Sequence, residues 1–344
     1  MRAAGTTDRN AAVVFIWLKG SPMTSDLVPG RTDGHVLVVG EALVDIVRTP
    51  DGRVSEHPGG SPANVALTLV RLGRTTTLLT RLGDDERGRA VADHLTRAGV
   101  FIDPASFVAA RTSTAAAQLD TNGSATYEFD LVWDLPRLEE ARSKMLAAQA
   151  LCLHTGSIAA ALEPGAATVR RHVEVARPTA TISYDPNLRP ALMGAAEDVR
   201  PMVESLVRLS DVVKLSDEDA RWLAPHTSSE DLAREWLTLG PAVVVVTRGG
   251  QGARAWSAAG AVDVQGHPVT VADTVGAGDS FSGGLIDALW TADLLGADKR
   301  PALAAIDFPT LAAVVGHAIA VSAVTVSRPG ADPPTRAELA AVGP

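Results

Sequence analysis

Short apolar runs recur along the chain at intervals wide enough to hold a helix. Residues 35–40 (HVLVVG), 77–80 (TLLT), 150–153 (ALCL), 180–184 (ATISY), 211–215 (DVVKL) and 242–247 (AVVVVT) each have strand length. A strand that is apolar on both faces is one covered on both faces, as in a parallel sheet lying between helices. Between the runs, residues 62–72, 87–98, 163–176, 200–209 and 217–223 carry apolar side chains at helical spacing. The alternation predicts an α/β fold with a mostly parallel, doubly wound sheet. Residues 43–58 and 112–130 break the rule. They alternate apolar and polar β-formers, as in 125–130 (ATYEFD), and neither leads straight into a helix pattern. They are expected to be antiparallel strands leaving the main sheet as a small lid, with Tyr127 on the apolar side.

Residues 1–34 show no clear periodicity and read as a poorly ordered extension ahead of one domain at 35–340. The apolar run 12–18 (AVVFIWL) is shorter than the core of a signal peptide and is closed by Lys19. Residues 311–326 approach the length of a membrane span, but Ala richness with His317, Ser322 and Thr325 suits a buried helix better.

Composition narrows the function. The chain of 344 residues carries 31 Lys and Arg against 40 Asp and Glu, a net charge of −9. That balance argues against a general nucleic-acid or anionic-membrane binder, while leaving room for a locally positive site. One cysteine, Cys152, forms no intrachain disulfide and no cysteine metal cluster, which suits a reducing cytoplasm. Lys19, Lys144, Lys214 and Lys299 each lack a preceding glycine, so there is no Walker-type phosphate loop. Neither G-x-G-x-x-G nor H-E-x-x-H occurs, so the usual dinucleotide and zinc-protease signatures are missing.

Two glycine-bearing segments carry the chemistry. In 273–284 (DTVGAGDSFSGG) a glycine loop opens into a helix pattern. Gly276 and Gly278 allow a backbone in which successive N–H groups point one way, and a helix start adds positive potential, so the segment suits an anion. Asp279 stands at that start. Its carboxylate could cap the helix or accept the proton of an attacking hydroxyl, and the segment alone leaves both open. In 59–64 (GGSPAN), Gly59 and Gly60 let a ligand approach the backbone, and Asn64 offers a donor and an acceptor to a polyol. The plainer alternative is a turn with Ser61 as cap and Pro62 opening a helix.

The pair resembles the two signatures of the PfkB (ribokinase-like) family of carbohydrate kinases. The resemblance extends over 36–331 through 40–45 (GEALVD), 81–88 (RLGDDERG), 185–190 (DPNLRP), 214–219 (KLSDED), 246–252 (VTRGGQG) and 327–331 (SRPGA). It implies a three-layer α/β/α ribokinase-like fold with a small β lid. It further implies an ATP-dependent sugar kinase in which Gly276, Ala277 and Gly278 hold the moving phosphoryl group and Asp279 is the base. Asp45, Gly59, Gly60, Asn64, Tyr127 and Arg189 would face the sugar. Lys214, Thr247, Gly249 and Gly252 would face the nucleotide; His317 would either face it or be a packed core histidine, the plainer reading. Mg2+ is expected near Glu218, Asp219 and Asp273; relatives place Glu where this chain has Asp219, which shifts weight to Glu218. K+ near Asp273 and Gly330 is common in relatives and is left open. The motif set is closest to fructokinases, so fructose is the expected substrate, with 2-keto-3-deoxygluconate kinases as the alternative. A silent binding protein is the rival from another class, set against the retained Asp279 and glycines. The lid is expected to pack on the sugar, on the 43–58 segment or on a second subunit, the last giving a homodimer through the lid.

Overall fold

The structure, a computed structural model, describes residues 34–119, 125–136 and 138–342. Apart from Gly34, the expected N-terminal extension lies outside the described residues.

Nine strands form the main sheet. They are β1 (His35–Val39), β4 (Thr76–Leu79), β6 (Phe101–Ile102), β10 (Ala150–Gly156), β11 (Thr181–Asp185), β12 (Val212–Ser216), β13 (Val243–Thr247), β14 (Ala253–Ser257) and β15 (Gly260–Val264). Their order is β15-β14-β13-β12-β11-β10-β1-β4-β6. Six neighbouring pairs are parallel, and only β13–β14 and β14–β15 are antiparallel. Each apolar run picked out in the sequence is one of the parallel strands. The edge hairpin β14–β15 and the short β6 were not expected, because brief strands with mixed polarity give little periodic signal.

Helices cover both faces. On one lie α1 (Ser61–Arg71), α2 (Glu86–Ala98), α9 (Ala277–Thr291), α10 (Arg300–Ala304) and α11 (Phe308–Val326), and on the other α3 (Glu140–Ala148), α4 (Gly165–Ala176), α6 (Ala196–Val207), α7 (Asp217–Leu223) and α8 (Ser229–Leu239). The short α5 (Pro190–Met193) and the C-terminal α12 (Arg336–Val342) complete the set. The sheet therefore separates two cores, with Val36 and Val38 facing one, and Leu37 and Val39 the other. Burying each such side chain contributes roughly 1.5–3 kcal/mol. The apolar α11 is one of these core helices, with Leu311, Val314, Val315, Ala318 and Val321 buried.

The two irregular segments pair in a separate sheet, β3-β2-β8-β9, built from β2 (Leu43–Arg48), β3 (Val54–Gly59), β8 (Thr114–Leu119) and β9 (Ala125–Asp130). The antiparallel expectation holds for β2–β3 and β8–β9 but not for the central pair β2–β8, which is parallel. The reason is topological: β2 and β8 both leave the body in the same direction. Val44, Ile46 and Ala116 join the lid to the core. The small β5–β7 pair (Leu82–Gly83 with Phe107–Val108) and Asp85 sit at its base. Asp85 accepts from the amide of Gly88, capping α2, and from both the amide and hydroxyl of Thr112, each at 2.7 Å. Arg87 pairs with Glu56 of β3 at 2.9 Å. The stretch 81–88 thus fastens the lid to α2.

Candidate active site

The glycine loop and helix come out as the sequence suggested. Gly276 caps α9 at φ +74°, a left-handed conformation that disfavours a side chain. A Cβ there would lie 2.7 Å from Cβ of Ala331. The amide of Ala277 turns back to Thr274 and that of Ser280 to Gly276. Those of Gly278 and Asp279 donate to no backbone carbonyl among the described residues. Two free amides at a helix N-terminus form an anion cradle. Asp273 braces the loop, accepting from the amides of Val275 at 3.0 Å and Gly330 at 2.9 Å.

Asp279 does not cap α9 with its side chain. Gly276 caps α9 with no side-chain bond, and Asp279 points across to α1. Ser61 Oγ donates to Oδ1 at 2.7 Å and Asn64 Nδ2 to Oδ2 at 2.8 Å. The carboxyl is buried, which pushes its pKa up, and the charge of Asp185 adds to this. The donations from Ser61 and Asn64, and the charge of Lys214, oppose the rise. A buried carboxylate of restored basicity beside an anion cradle is suited to accept a proton.

Ser61 does not cap α1. The cap is Gly60 at φ +102°, where a Cβ would strike the Glu41 carbonyl at 2.6 Å. That leaves the Ser61 hydroxyl for Asp279 and for Asn187, whose Nδ2 donates to it at 2.9 Å. Gly59 is glycine because Asp45 lies against it: a Cβ would fall 2.0 Å from Asp45 Oδ2. Burial, and then the charge of Asp279, push Asp45 up to about 6, against opposing Arg189 and His57. Asp45, Asn64 and Asp279 thus converge. Arg189 is exposed, its Nη1 donating to Asn187 Oδ1 at 2.7 Å. Tyr127 is placed by its backbone in β9 opposite Ala117, and its side chain lies outside the described residues.

On the other side of the cradle, the ammonium of Lys214 lies 2.9 Å from where a Cβ of Gly278 would stand. Asp185 Oδ2 holds it at 2.8 Å and accepts from Ser282 Oγ at 3.0 Å. Thr247 ends β13 in register with Ser216, one strand away from Lys214. Gly249 and Gly252, at φ +54° and +90°, shape the turn into β14.

Two of the expected ligand contacts are taken up by partners within the protein. His317, expected at the nucleotide, is engaged within the protein: its Nε2 bonds Asp287 Oδ2 at 2.8 Å, and Asp287 Oδ1 takes Arg74 and Arg336 at 2.6 Å each. A buried carboxylate facing two guanidinium groups draws the ring in as a further donor. Asp219, expected near Mg2+, is engaged within the protein. Its Oδ2 closes a capping box with Ser216, and its Oδ1 accepts the Leu188 amide at 3.0 Å, so both oxygens are occupied. Asp273 is occupied likewise, and Glu218 is exposed on α7. No group of three or more metal-binding side chains exists among the described residues. Among the described residues the side chains therefore form no ready-made cage of three or more ligands for Mg2+.

Three residues with a part in the site were missed as contributors: Asp185, Asn187 and Glu41. All lie in motif segments that were picked out, but type and spacing gave no sign of their contacts. Glu41 is buried, accepts the Ala159 amide at 3.1 Å and is pushed up to about 7 by that burial.

Comparison with known proteins agrees with this geometry. Residues 33–337 match the family described as pfkB family carbohydrate kinase. The fructokinase of Klebsiella pneumoniae is 33% identical over 263 residues, covering 75% of this chain and 85% of that one. The fructokinase of Xylella fastidiosa with bound ATP superposes with a TM-score of 0.80 at 26% identity, over 89% of this chain and 97% of that one. The Vibrio cholerae fructokinase in its form with fructose, ADP and calcium ion gives 0.73 at 28%, over 90% and 99%. A glycine-capped helix with a buried carboxylate on its first turn, a mostly parallel sheet between two layers of helices and a family match along nearly the whole described chain lead to one assignment: the chain belongs to the pfkB family of carbohydrate kinases, enzymes that transfer a phosphoryl group to a sugar hydroxyl.

Proposed function

We propose that the protein is a fructokinase, using ATP to phosphorylate a primary hydroxyl of fructose with Asp279 as base. The observation that carries the reading is the Asp279 carboxylate, buried beside the free amides of Gly278 and its own backbone and held by Asn64 and Ser61. Asp45 and Asn64 hold sugar hydroxyls. Asp279 takes the proton of the attacking hydroxyl, while the α9 amides and Lys214 meet the charge on the moving phosphoryl group. The lid, fastened through Asp85 and Arg87, excludes water. A divalent cation would neutralise nucleotide phosphates, arriving with the nucleotide rather than in a protein cage. Asp273 and Gly330, the pair expected beside K+, are bonded to each other.

The sugar end favours a neutral substrate. The positive charge of Arg189 faces both Glu41 and Asp45, so it is compensated within the protein rather than left for an acid sugar. The fructose-bound Vibrio cholerae relative and the fructokinase of Klebsiella pneumoniae support the choice of ketose. The test is ADP release with ATP and a panel of fructose, ribose, adenosine and 2-keto-3-deoxygluconate, repeated with Asp279→Asn. Fructose is expected to give the highest kcat/KM. General-base catalysis contributes about 10²–10⁴ in rate, so the variant should lose at least about 10² in kcat. Another sugar leading the panel overturns the substrate. A variant keeping more than about a tenth of kcat overturns the base. Sedimentation of the same samples decides the homodimer through the lid.

A further inference from the structure

We infer that Ser61 is a positioning residue for phosphoryl transfer, the last link of a one-way hydrogen-bond relay that runs from Arg189 through Asn187 to the carboxylate of Asp279. The inference rests on Asp279 being the base.

The direction of the relay follows from proton counting. Arg189 can only donate, so the oxygen of the Asn187 amide must face it, as observed at 2.7 Å. The Asn187 nitrogen then faces Ser61 Oγ, at 2.9 Å. A hydroxyl has one proton, and with Asn187 donating to its oxygen, that proton goes to Asp279 Oδ1 at 2.7 Å. Each link donates toward the base, so each polarises the next. The hydroxyl has no freedom to turn away, and Oδ1 of the carboxylate is fixed.

The loop holding the relay is itself fixed. Asn187 sits at φ +39°, a left-handed conformation that asparagine tolerates better than most residues. The neighbouring Leu188 amide is tied to Asp219, so the capping box of Asp219 on α7 anchors the relay loop. The relay begins at an exposed arginine expected to face the sugar and ends at the atom group that takes the sugar's proton. Occupation of Arg189 is thereby felt at the base.

The charges facing Asp279 are Asp185 from β11, Lys214 from β12 and Asp45 from β2. Burial and the two acids favour the protonated form, whereas Lys214, Asn64 and Ser61 favour the charged one. Removing the Ser61 donation should therefore raise the pH below which the base is lost.

The test is kcat against pH for wild type, Ser61→Ala, Asn187→Ala, the double variant and Asp279→Asn, with melting temperatures alongside. A hydrogen bond to a charged group corresponds to about one pH unit or more, so Ser61→Ala should move the acid limb up by about one unit. The loss should be near tenfold on that limb and smaller on the alkaline plateau, with KM for ATP unchanged. Ser61→Thr, which keeps the hydroxyl, should return the limb toward wild type. Asn187→Ala should give a smaller shift in the same direction, and the double variant no more than Ser61→Ala alone, because both act through one hydroxyl. An unmoved limb in Ser61→Ala, or a double variant equal to the sum of the singles, overturns the relay. If Asp279→Asn is inactive while Ser61→Ala keeps its limb, only the relay fails. If Asp279→Asn stays active, the base reading fails first.

Discussion

Replacing Gly276 by Ala separates two costs that the cradle imposes. Gly276 stands at φ +74°, and a left-handed backbone costs a residue with a Cβ roughly 1–2 kcal/mol. The new Cβ would also lie 2.7 Å from Cβ and 3.1 Å from Cα of Ala331. Overpacking of that kind adds about 1–3 kcal/mol. Ala331 follows Gly330, whose amide is tied to Asp273, so the neighbour cannot yield without loosening the loop. The total is about 2–5 kcal/mol. Gly99, the C-cap of α2 at φ +105°, is the control, because a Cβ there meets nothing within 4 Å. Gly99→Ala should show the backbone cost alone. At roughly 2 °C per kcal/mol for a chain of this size, scanning fluorimetry should find Tm lower by about 2–4 °C in Gly99→Ala and about 4–10 °C in Gly276→Ala. Only the second should lose kcat, by at least about tenfold, as the free amides of α9 shift away from the phosphoryl group. Equal Tm values for the two variants, or a Gly276→Ala enzyme of full kcat, would refute the reasoning.

Asp45→Ala removes a charged acceptor of sugar hydroxyls worth about 1.5–3 kcal/mol, so kcat/KM for sugar should fall about 10- to 150-fold with KM for ATP unmoved. Since Asp45 is raised to about 6, the wild-type sugar KM should rise as pH falls through about 6 and the carboxylate takes a proton. His317→Ala should lower Tm and leave KM for ATP within about twofold, and a large rise in that KM would restore His317 to the nucleotide. Asp287 is held down to about 2 by His317, Arg336 and Arg74 despite its burial. Its pairing should contribute about 2 kcal/mol above about pH 4, lost as pH falls toward 2, which acid denaturation of wild type against Asp287→Asn would measure.

Periodicity revealed the elements that are buried on two sides and said little of the others. Residues 242–247 read as a covered strand from their length and unbroken apolar run, whereas the neighbouring hairpin β14–β15 mixes polar and apolar residues at the sheet edge. The lid segments were visible by their alternation, but alternation is a property of one strand and cannot tell that β2 meets β8 in parallel. In the site, the backbone features were the more legible, because glycine at 276 and 60 answers to conformation and close approach. Side-chain roles were less so. His317 and Asp219 have the residue types that ligands require, yet each is taken by a neighbour that lies far off in sequence or belongs to a cap. Ser61 shows the converse: its type and place suit a helix cap, and only the fold shows that Gly60 has relieved it of that task.

The bond between Ser61 and Asp279 spans 218 positions of sequence. Contacts of such separation form late, after the loop between them has been closed by many others. A nascent or partly refolded chain that has assembled only its first strands and helices therefore has neither base nor cradle in place. Turnover becomes a property of the finished molecule alone, and incompletely folded chains in a cell should consume no ATP. In refolding from urea, activity should return later than helical circular dichroism, with the delay marking the docking of α9 on α1.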